Sequence, residues 1–401
     1  MRGWRHPAAA ANMVFIALHS RSGANEREHR MTDPRSAILS KYDKKGMVAR
    51  NRLAVAPMTR VTASADGMPS AAMRDYYRRF ARGGFGMVIT EGLYTDKAYA
   101  QGYRNQPGIA DDEQARAWAG ITAEIHAGAA LAVAQLMHAG ALSQGNPFRS
   151  HTAGPSAVQP AGQQMGFYHG EGRYPVPLAM TEQDIAEAVD GFVQSAIRAV
   201  RVAGFDAIEI HGANGYLLDQ FLTAHTNLRS DGWGGDVHGR VRLLVEVLRA
   251  VKAAVGGEAP VGIRISQGKV NDFTAKWPGG EDDAAVIFGA LAAAGADFIH
   301  VTEFEAWKPA FEGGSETLIA LARRHAPDAT IIANGSLHEV ERAAEALALG
   351  ADIVALGRGA LANPDMPKLF EQGAAPRAFD GAILGPVADI KDSELAFEPT
   401  R

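Results

Sequence analysis

Within the stretch EIHGANGYLLDQFLTAHTNLRSDGWGGD, residues 209–236, three side chains able to donate hydrogen bonds, His211, Asn214 and Tyr216, fall within six residues. They follow the apolar, β-prone run AIEI, so they gather at the end of a strand. An imidazole, an amide and a phenol side by side suit a bound molecule that presents acceptor atoms. A phenol, with an ordinary pKa of about 10, can also give up a proton. A metal is disfavoured, because asparagine is a poor transition-metal ligand and no spaced histidine or carboxylate accompanies His211. Taken singly, each residue also has a structural reading: His211 as a satisfied interior histidine, Asn214 as a turn or cap, Tyr216 as packing at a loop edge.

Other polar groups end similar runs. Alternate residues of a barrel strand point inward, so in DAIEIH the pair Ile208 and Ile210 would face the helices, with Glu209 and His211 inside. By the same parity PVGIRIS turns Ile263 and Ile265 outward and Arg264 inward. A buried arginine is costly unless an anion compensates it, either a neighbour such as Glu209 or a bound ligand. Gln135 closes ALAVAQLM, Thr59 follows RLAVAPM and Gly92 ends GMVITEG, which brings polar groups and a glycine to one rim. ATIIANG and DIVALGR both end in glycine, and Gly335, Gly357 and Arg358 read as a phosphate grip of close backbone N–H groups and a guanidinium fork. The alternative is that these glycines only turn tight corners.

Such residues need a frame. Eight β-prone runs, at 52–58, 86–92, 130–137, 206–211, 260–266, 297–302, 329–335 and 352–358, alternate with helical patterns. Those patterns lie at 111–127, 181–204, 240–255, 281–294, 315–325, 337–349 and 359–371. In the second of them Thr181 and Asp184 form a capping-box pair, and Gly204 is placed to take a left-handed C-terminal position. Eight strands close a (β/α)8 TIM barrel, so the expected fold is α/β with one barrel over residues 36–371. An open doubly wound sheet would need a G-x-G-x-x-G fingerprint, and no strand run is followed by one. The glycine-, proline- and aromatic-rich connection 138–180 follows the third strand and is expected to cap the site. In NLRSDGWGGDVHGR, the residues Arg229, Asp231, Asp236 and Arg240 read as staples of a long loop.

Composition narrows the function. Forty basic against 45 acidic side chains, net −5 and scattered, leave no stripe for a nucleic-acid backbone. The absence of cysteine removes thiolate nucleophiles and cysteine-ligated metals. No run approaches the roughly 18 apolar residues of a membrane span, so no membrane partner is expected. Residues 1–35 are read as a disordered extension without function, with a targeting segment as the alternative. MRGWRHPAAAANMVFIALHS is basic and then apolar but lacks a clear cleavage site, and Met31 opens a second start. Residues 372–401 are read as a C-terminal tail.

The lines NRLAVAPMTR, ITEGLYTD, AQLMHAG, EIHGANGYLLDQFLTAHTNLRSDGWGGDVHGR, VGIRIS and ALGRGALANPD, in this order, resemble the old yellow enzyme family of FMN-dependent ene-reductases. The resemblance runs from about residue 36 to 371. It implies FMN over the barrel mouth, with Pro57, Met58 and Thr59 near its N5 and O4 edge, Gln135 on the pyrimidine edge and Arg264 by N1 and O2. Gly92 is carried with the cofactor set, and Gly335, Gly357 and Arg358 would hold the phosphate. His211 and Asn214 match the pair that binds a substrate carbonyl oxygen, and Tyr216 matches the proton donor. The implied activity is ping-pong reduction, by NADPH or NADH, of the C=C bond of a small-molecule activated alkene: α,β-unsaturated carbonyls, with nitro compounds as a further class. A cytoplasmic monomer or homodimer is expected. The alternatives are a phosphate-binding barrel lyase or aldolase, for which no strand run ends in the required lysine, and a flavin-binding protein without turnover. Two departures stand out: Thr59 where one branch of the family has cysteine, and HAGAL without the arginine that many relatives carry. The connection 138–180 and residues 372–401 match the family poorly.

Overall fold

The computed structural model describes residues 33–396, so the N-terminal extension lies almost wholly outside the described residues. From Pro34 onward the described chain is one compact unit. Its eight barrel strands are β1 (Leu53–Val55), β2 (Met87–Ile89), β3 (Leu131–Met137), β4 (Ala207–Asn214), β5 (Val261–Lys269), β6 (Phe298–Thr302), β7 (Thr330–Asn334) and β8 (Ile353–Leu356). Each pairs in parallel with its neighbours in sequence, and β8 pairs with β1, which closes the ring. All eight coincide with the β-prone runs, and the fold is the (β/α)8 barrel.

Two apolar layers explain why these runs are continuous rather than alternating. Ile208, Ile210, Ile263 and Ile265 pack outward against the helices. Small and medium side chains such as Ala54, Val133, Ala207, Ile332 and Ala355 fill the interior. A hairpin of Tyr42–Lys44 and Met47–Ala49 plugs the N-terminal end, where the Tyr42 hydroxyl meets Thr330 Oγ1 at 2.6 Å. The opposite end is left for polar groups.

Helices α1 (Ala71–Arg82), α2 (Asp112–Ala127), α3 (Glu182–Arg201), α4 (Val237–Val255), α5 (Glu281–Ala293), α6 (Leu318–His325) and α7 (Val340–Ala348) cover the barrel. The capping box at the start of α3 forms, and Gly204 adopts φ +75°. Asp236 caps α4 by accepting from the Gly239 N–H at 3.0 Å, while Arg229 pairs with Asp231 and donates to the Pro155 carbonyl oxygen. Arg240 donates to the Leu222 and Gly235 carbonyl oxygens, so all four residues hold the loop by hydrogen bonds or ion pairs.

Two expectations need correction. The sequence reading assigned no helix between β1 and β2, yet α1 forms there, capped by Ser70 accepting from the Met73 N–H. Its inward face is a clear apolar stripe of Met73, Tyr76, Tyr77 and Phe80, with Arg79 buried beside them. The pattern 359–371 is two helices, Arg358–Ala362 and Met366–Gln372, because Pro364 disfavours helical backbone at Asn363, where φ is −136° and ψ 80°.

Candidate active site

A cavity of about 660 Å3 opens at the C-terminal ends of the strands. Pro57, Met58, Thr59, Gln135, His211, Asn214, Tyr216, Arg264, Gly335, Gly357 and Arg358 all line it. Gly92 does not. Its Cα faces Met137, where a Cβ would lie 2.4 Å from the sulfur, and its carbonyl oxygen accepts from Gln106 Nε2. Gly92 is a packing glycine beneath the site. His138 is also set back: it is buried, accepts from the Gly140 N–H and faces Asp96.

The charges of the interior divide unequally. Glu209, fully buried, accepts from Gln135 Nε2 and from His300 Nδ1, each at 2.7 Å. Burial opposes its ionisation, but His300, Arg264 and the Gln135 bond outweigh that and hold its pKa below the ordinary carboxylate value. Arg264 lies in register with His211 on one side and His300 on the other. Among the described residues its Nη2 donates only to neutral oxygens, Asn334 Oδ1 at 3.0 Å and Thr302 Oγ1 at 3.2 Å, and its buried Nε has no partner. Glu209 therefore directs its hydrogen bonds elsewhere, and the guanidinium keeps donor capacity for an anion. Burial pulls the Arg264 pKa down and the Glu209 and Tyr216 charges oppose it.

The donor trio is set by backbone geometry. β4 ends at Asn214, whose φ of +61° is left-handed, a conformation asparagine tolerates. Beside it the β4–β5 register shifts between Ile265 and Lys269, and in this irregular stretch Ser266 Oγ accepts from the Asn214 N–H at 2.8 Å. His211 packs edge-on to Tyr216, ring centroids 4.9 Å apart. Its buried Nδ1 has no partner among the described residues. Burial, then the charges of Arg264 and His300, hold its pKa well below the ordinary value, so the imidazole is neutral. The Tyr216 hydroxyl bonds to that of Tyr103, and burial pushes its pKa up to about 12 against the pull of that bond and of Arg264.

Sequence reasoning missed several contributors. Tyr103, on the connection after β2, partners Tyr216, while Asn334, Thr302 and His300 hold Arg264 and Glu209. His300 and Thr302 were findable, since they share the inward parity of Arg264 on the adjacent strand. Tyr103 was not, because nothing local marks a loop residue as a partner of one more than a hundred positions away. Met165, Phe167 and Tyr168 of the connection 138–180 line the cavity, as a cap must.

The lysine argument also changes. β5 runs past the expected 260–266 to Lys269, so a strand does end in lysine. Its Nζ, however, lies 2.9 Å from both oxygens of buried Asp219 and 3.0 Å from the Gln267 carbonyl oxygen, and it does not line the cavity. An ammonium so paired cannot act as a Schiff-base nucleophile. Asp219→Asn would leave that cation half-compensated, with an expected stability loss of about 3–5 kcal/mol in denaturant titration.

The residues present suit a cofactor with an acceptor-rich ring and a phosphate. Unpartnered buried donor capacity sits at Arg264, and Gly335, at φ +145°, brings backbone where a Cβ would stand 2.3 Å from the Glu303 carbonyl oxygen. The fold is thus a parallel barrel with a polar cavity at the C-terminal ends of its strands. Residues 43–376 match the NADH:flavin oxidoreductase / NADH oxidase family, and the chain belongs to it. A chanoclavine-I aldehyde reductase from Penicillium roqueforti is 33% identical over 347 residues, 84% of this chain and 90% of the relative. An NADH oxidase from Thermoanaerobacter brockii is 33% identical over 337 residues, 82% of this chain, which spans about half (49%) of that relative's length. The structure of an old yellow enzyme homologue from Zymomonas mobilis superposes with a TM-score of 0.81 at 28% identity, covering 91% of this chain and 100% of that one.

Proposed function

We propose that this chain is an FMN-dependent oxidoreductase that uses NADPH or NADH to reduce the C=C bond of small activated alkenes, chiefly α,β-unsaturated carbonyl compounds. The observation that carries the site assignment is the convergence, in one cavity, of a neutral His211, Asn214 and Tyr216 with a buried arginine whose hydrogen bonds, among the described residues, go to neutral oxygens. Pro57, Met58, Thr59, Gln135 and Arg264 would hold the isoalloxazine, and Gly335, Gly357 and Arg358 the phosphate. The chemistry that FMN would supply there, when bound and reduced by the nicotinamide, is hydride delivery to the β carbon of the alkene.

The chain's own residues do the rest. The N–H groups of His211 and Asn214 meet the carbonyl oxygen as negative charge grows on it, and being placed beforehand they need no reorganisation. The Arg264 cation favours electron-rich ring chemistry beside it. Tyr216 hands its proton to the α carbon. Because its phenol titrates at about 12, it stays protonated through neutral and mildly alkaline pH.

Tyr216→Phe is expected to slow enone reduction by about 10²-fold or more. In the wild-type enzyme, loss of this acid should produce no alkaline fall below roughly pH 11, since the hydroxyl deprotonates only near its raised pKa. A pH–rate profile with a Tyr216-dependent limb near pH 8 would contradict the raised pKa, and a Tyr216→Phe rate within a few-fold of wild type would contradict the role. Gly335→Ala should destabilise by roughly 1–3 kcal/mol through its left-handed backbone and the Glu303 contact. The same variant should release flavin more readily, read from thermal melts with and without FMN.

The decisive experiment is an absorption spectrum. Purified protein should show flavin bands that NADPH bleaches anaerobically and 2-cyclohexen-1-one restores. A colourless protein that takes up no FMN would overturn the reading, and bands that no nicotinamide bleaches would leave a flavin protein without turnover. Among the described residues no helix is long and apolar enough to cross a membrane. A nicotinamide reductant supports a cytoplasmic site of action, as a monomer or homodimer, which sedimentation would distinguish.

A further inference from the structure

The segment that follows the barrel matches the family poorly in sequence, yet it touches the cavity. Leu384 lines it, and the Ala388 N–H donates to the Phe167 carbonyl oxygen of the cap at 2.9 Å. The Ile390 N–H donates to Thr62 Oγ1 at 2.9 Å. Four residues on, Glu394 is buried between two arginines.

Arg60 directly follows the cavity residue Thr59 and is 0% exposed. Its guanidinium is forked onto the Glu394 carboxylate, with Nη1 to Oε2 at 2.8 Å, and also donates to the carbonyl oxygens of Ala388 and Asp389. Arg79 of α1 approaches the same carboxylate at 3.0 Å, and both guanidinium groups stack on Tyr76. From the other side the carboxylate of buried Glu91 accepts from the Arg60 backbone N–H at 2.9 Å. Between these grips Val61 holds φ +36°, which a β-branched residue adopts only when its surroundings impose it.

We infer that residues 381–396 form a strap that positions the flavin-facing loop Pro57–Thr59, with Glu394 as the positioning residue acting through Arg60. This rests on the flavin reading above. Glu91 fixes the backbone of the loop and Glu394 fixes its side chain. Because the strap also bonds to the cap at Phe167, it sets the loop and one wall of the cavity together. Without the Glu394 charge, Arg60 keeps only neutral partners, among them the Ala388 and Asp389 carbonyl oxygens, and the strain at Val61 can relax, moving Thr59 off its place beside the ring.

The test is FMN titration of flavin-stripped protein, read by visible absorption. In Glu394→Gln the dissociation constant of FMN is expected to rise roughly tenfold, with a displaced flavin band, because a misplaced loop loses oriented contacts. If that variant does not fold, the paired Arg60→Met/Glu394→Met variant removes both charges together and should show the same changes. Arg79→Met, which leaves the Arg60 pair in place, should lower the melting temperature while FMN affinity and spectrum stay as in the wild type. Unchanged FMN affinity and spectrum in Glu394→Gln, or in the paired variant, would overturn the strap. An equal loss of affinity in Arg79→Met would reduce Glu394 to a helix anchor and overturn it as well. Wild-type protein that takes up no FMN would remove the flavin reading first, and the strap with it.

Discussion

Replacing His211 and Asn214 together by alanine is expected to lower the rate of enone reduction by about 10³-fold, because removing one pre-placed oxyanion donor costs about 10²–10³ and paired losses are not additive. The measurement is rapid mixing of dithionite-reduced enzyme with 2-cyclohexen-1-one, which separates alkene reduction from any effect on nicotinamide binding. The structure gives the donors their effect through burial. His211 is 4% exposed and neutral, so its N–H acts in a site that excludes water rather than competing with it. Asn214 stands on a left-handed backbone whose N–H is held by Ser266 Oγ, which fixes where its side chain leaves the strand. Because the imidazole is already neutral well below its ordinary pKa, the rate should show no limb near pH 6.5 that disappears with His211. Turnover of the double variant within a few-fold of wild type would remove both residues from the chemistry.

Arg264→Met should separate cofactor affinity from stability. The guanidinium is desolvated, bonds only to the neutral oxygens of Asn334 and Thr302 and leaves Nε unpartnered. A methionine of similar length relieves that cost, so the flavin-free protein should melt no lower than wild type. Two charge-assisted hydrogen bonds that the guanidinium would make to the ring are then missing, at about 1.5–3 kcal/mol each, so the FMN dissociation constant should rise by about 10²-fold or more. Titration of flavin-stripped protein and melting of the same sample give both numbers. A variant that binds FMN as wild type does, or whose flavin-free form is several kcal/mol less stable, would make Arg264 a structural ion-pair member instead.

The barrel was legible because its signals are local and repeated. Runs such as PVGIRIS and DAIEIH are β-prone and bounded by turn residues, and the inward parity of Arg264 and His211 follows from a period of two. Helix α1 was legible in the spacing of Met73, Tyr76, Tyr77 and Phe80; what no local pattern shows is that Arg79, buried on the same face, meets Glu394 some three hundred residues away. Gly92 shows the converse. A glycine at a strand end looked like part of the rim, but its lack of a side chain serves the Met137 contact beneath.

The same division runs through the whole molecule. The order of residues alone determined eight strands and most of the helices between them, the inward-facing polar positions and the absence of thiol chemistry, since each depends on neighbours within a few positions or on composition. Only the folded chain decided that Glu209 bonds to Gln135 and His300 rather than Arg264, that Tyr103 partners Tyr216, and that the last described residues brace the loop at Thr59. Those outcomes are competitions among groups far apart in sequence for a few buried hydrogen bonds. The winners are set by distances that no local pattern encodes.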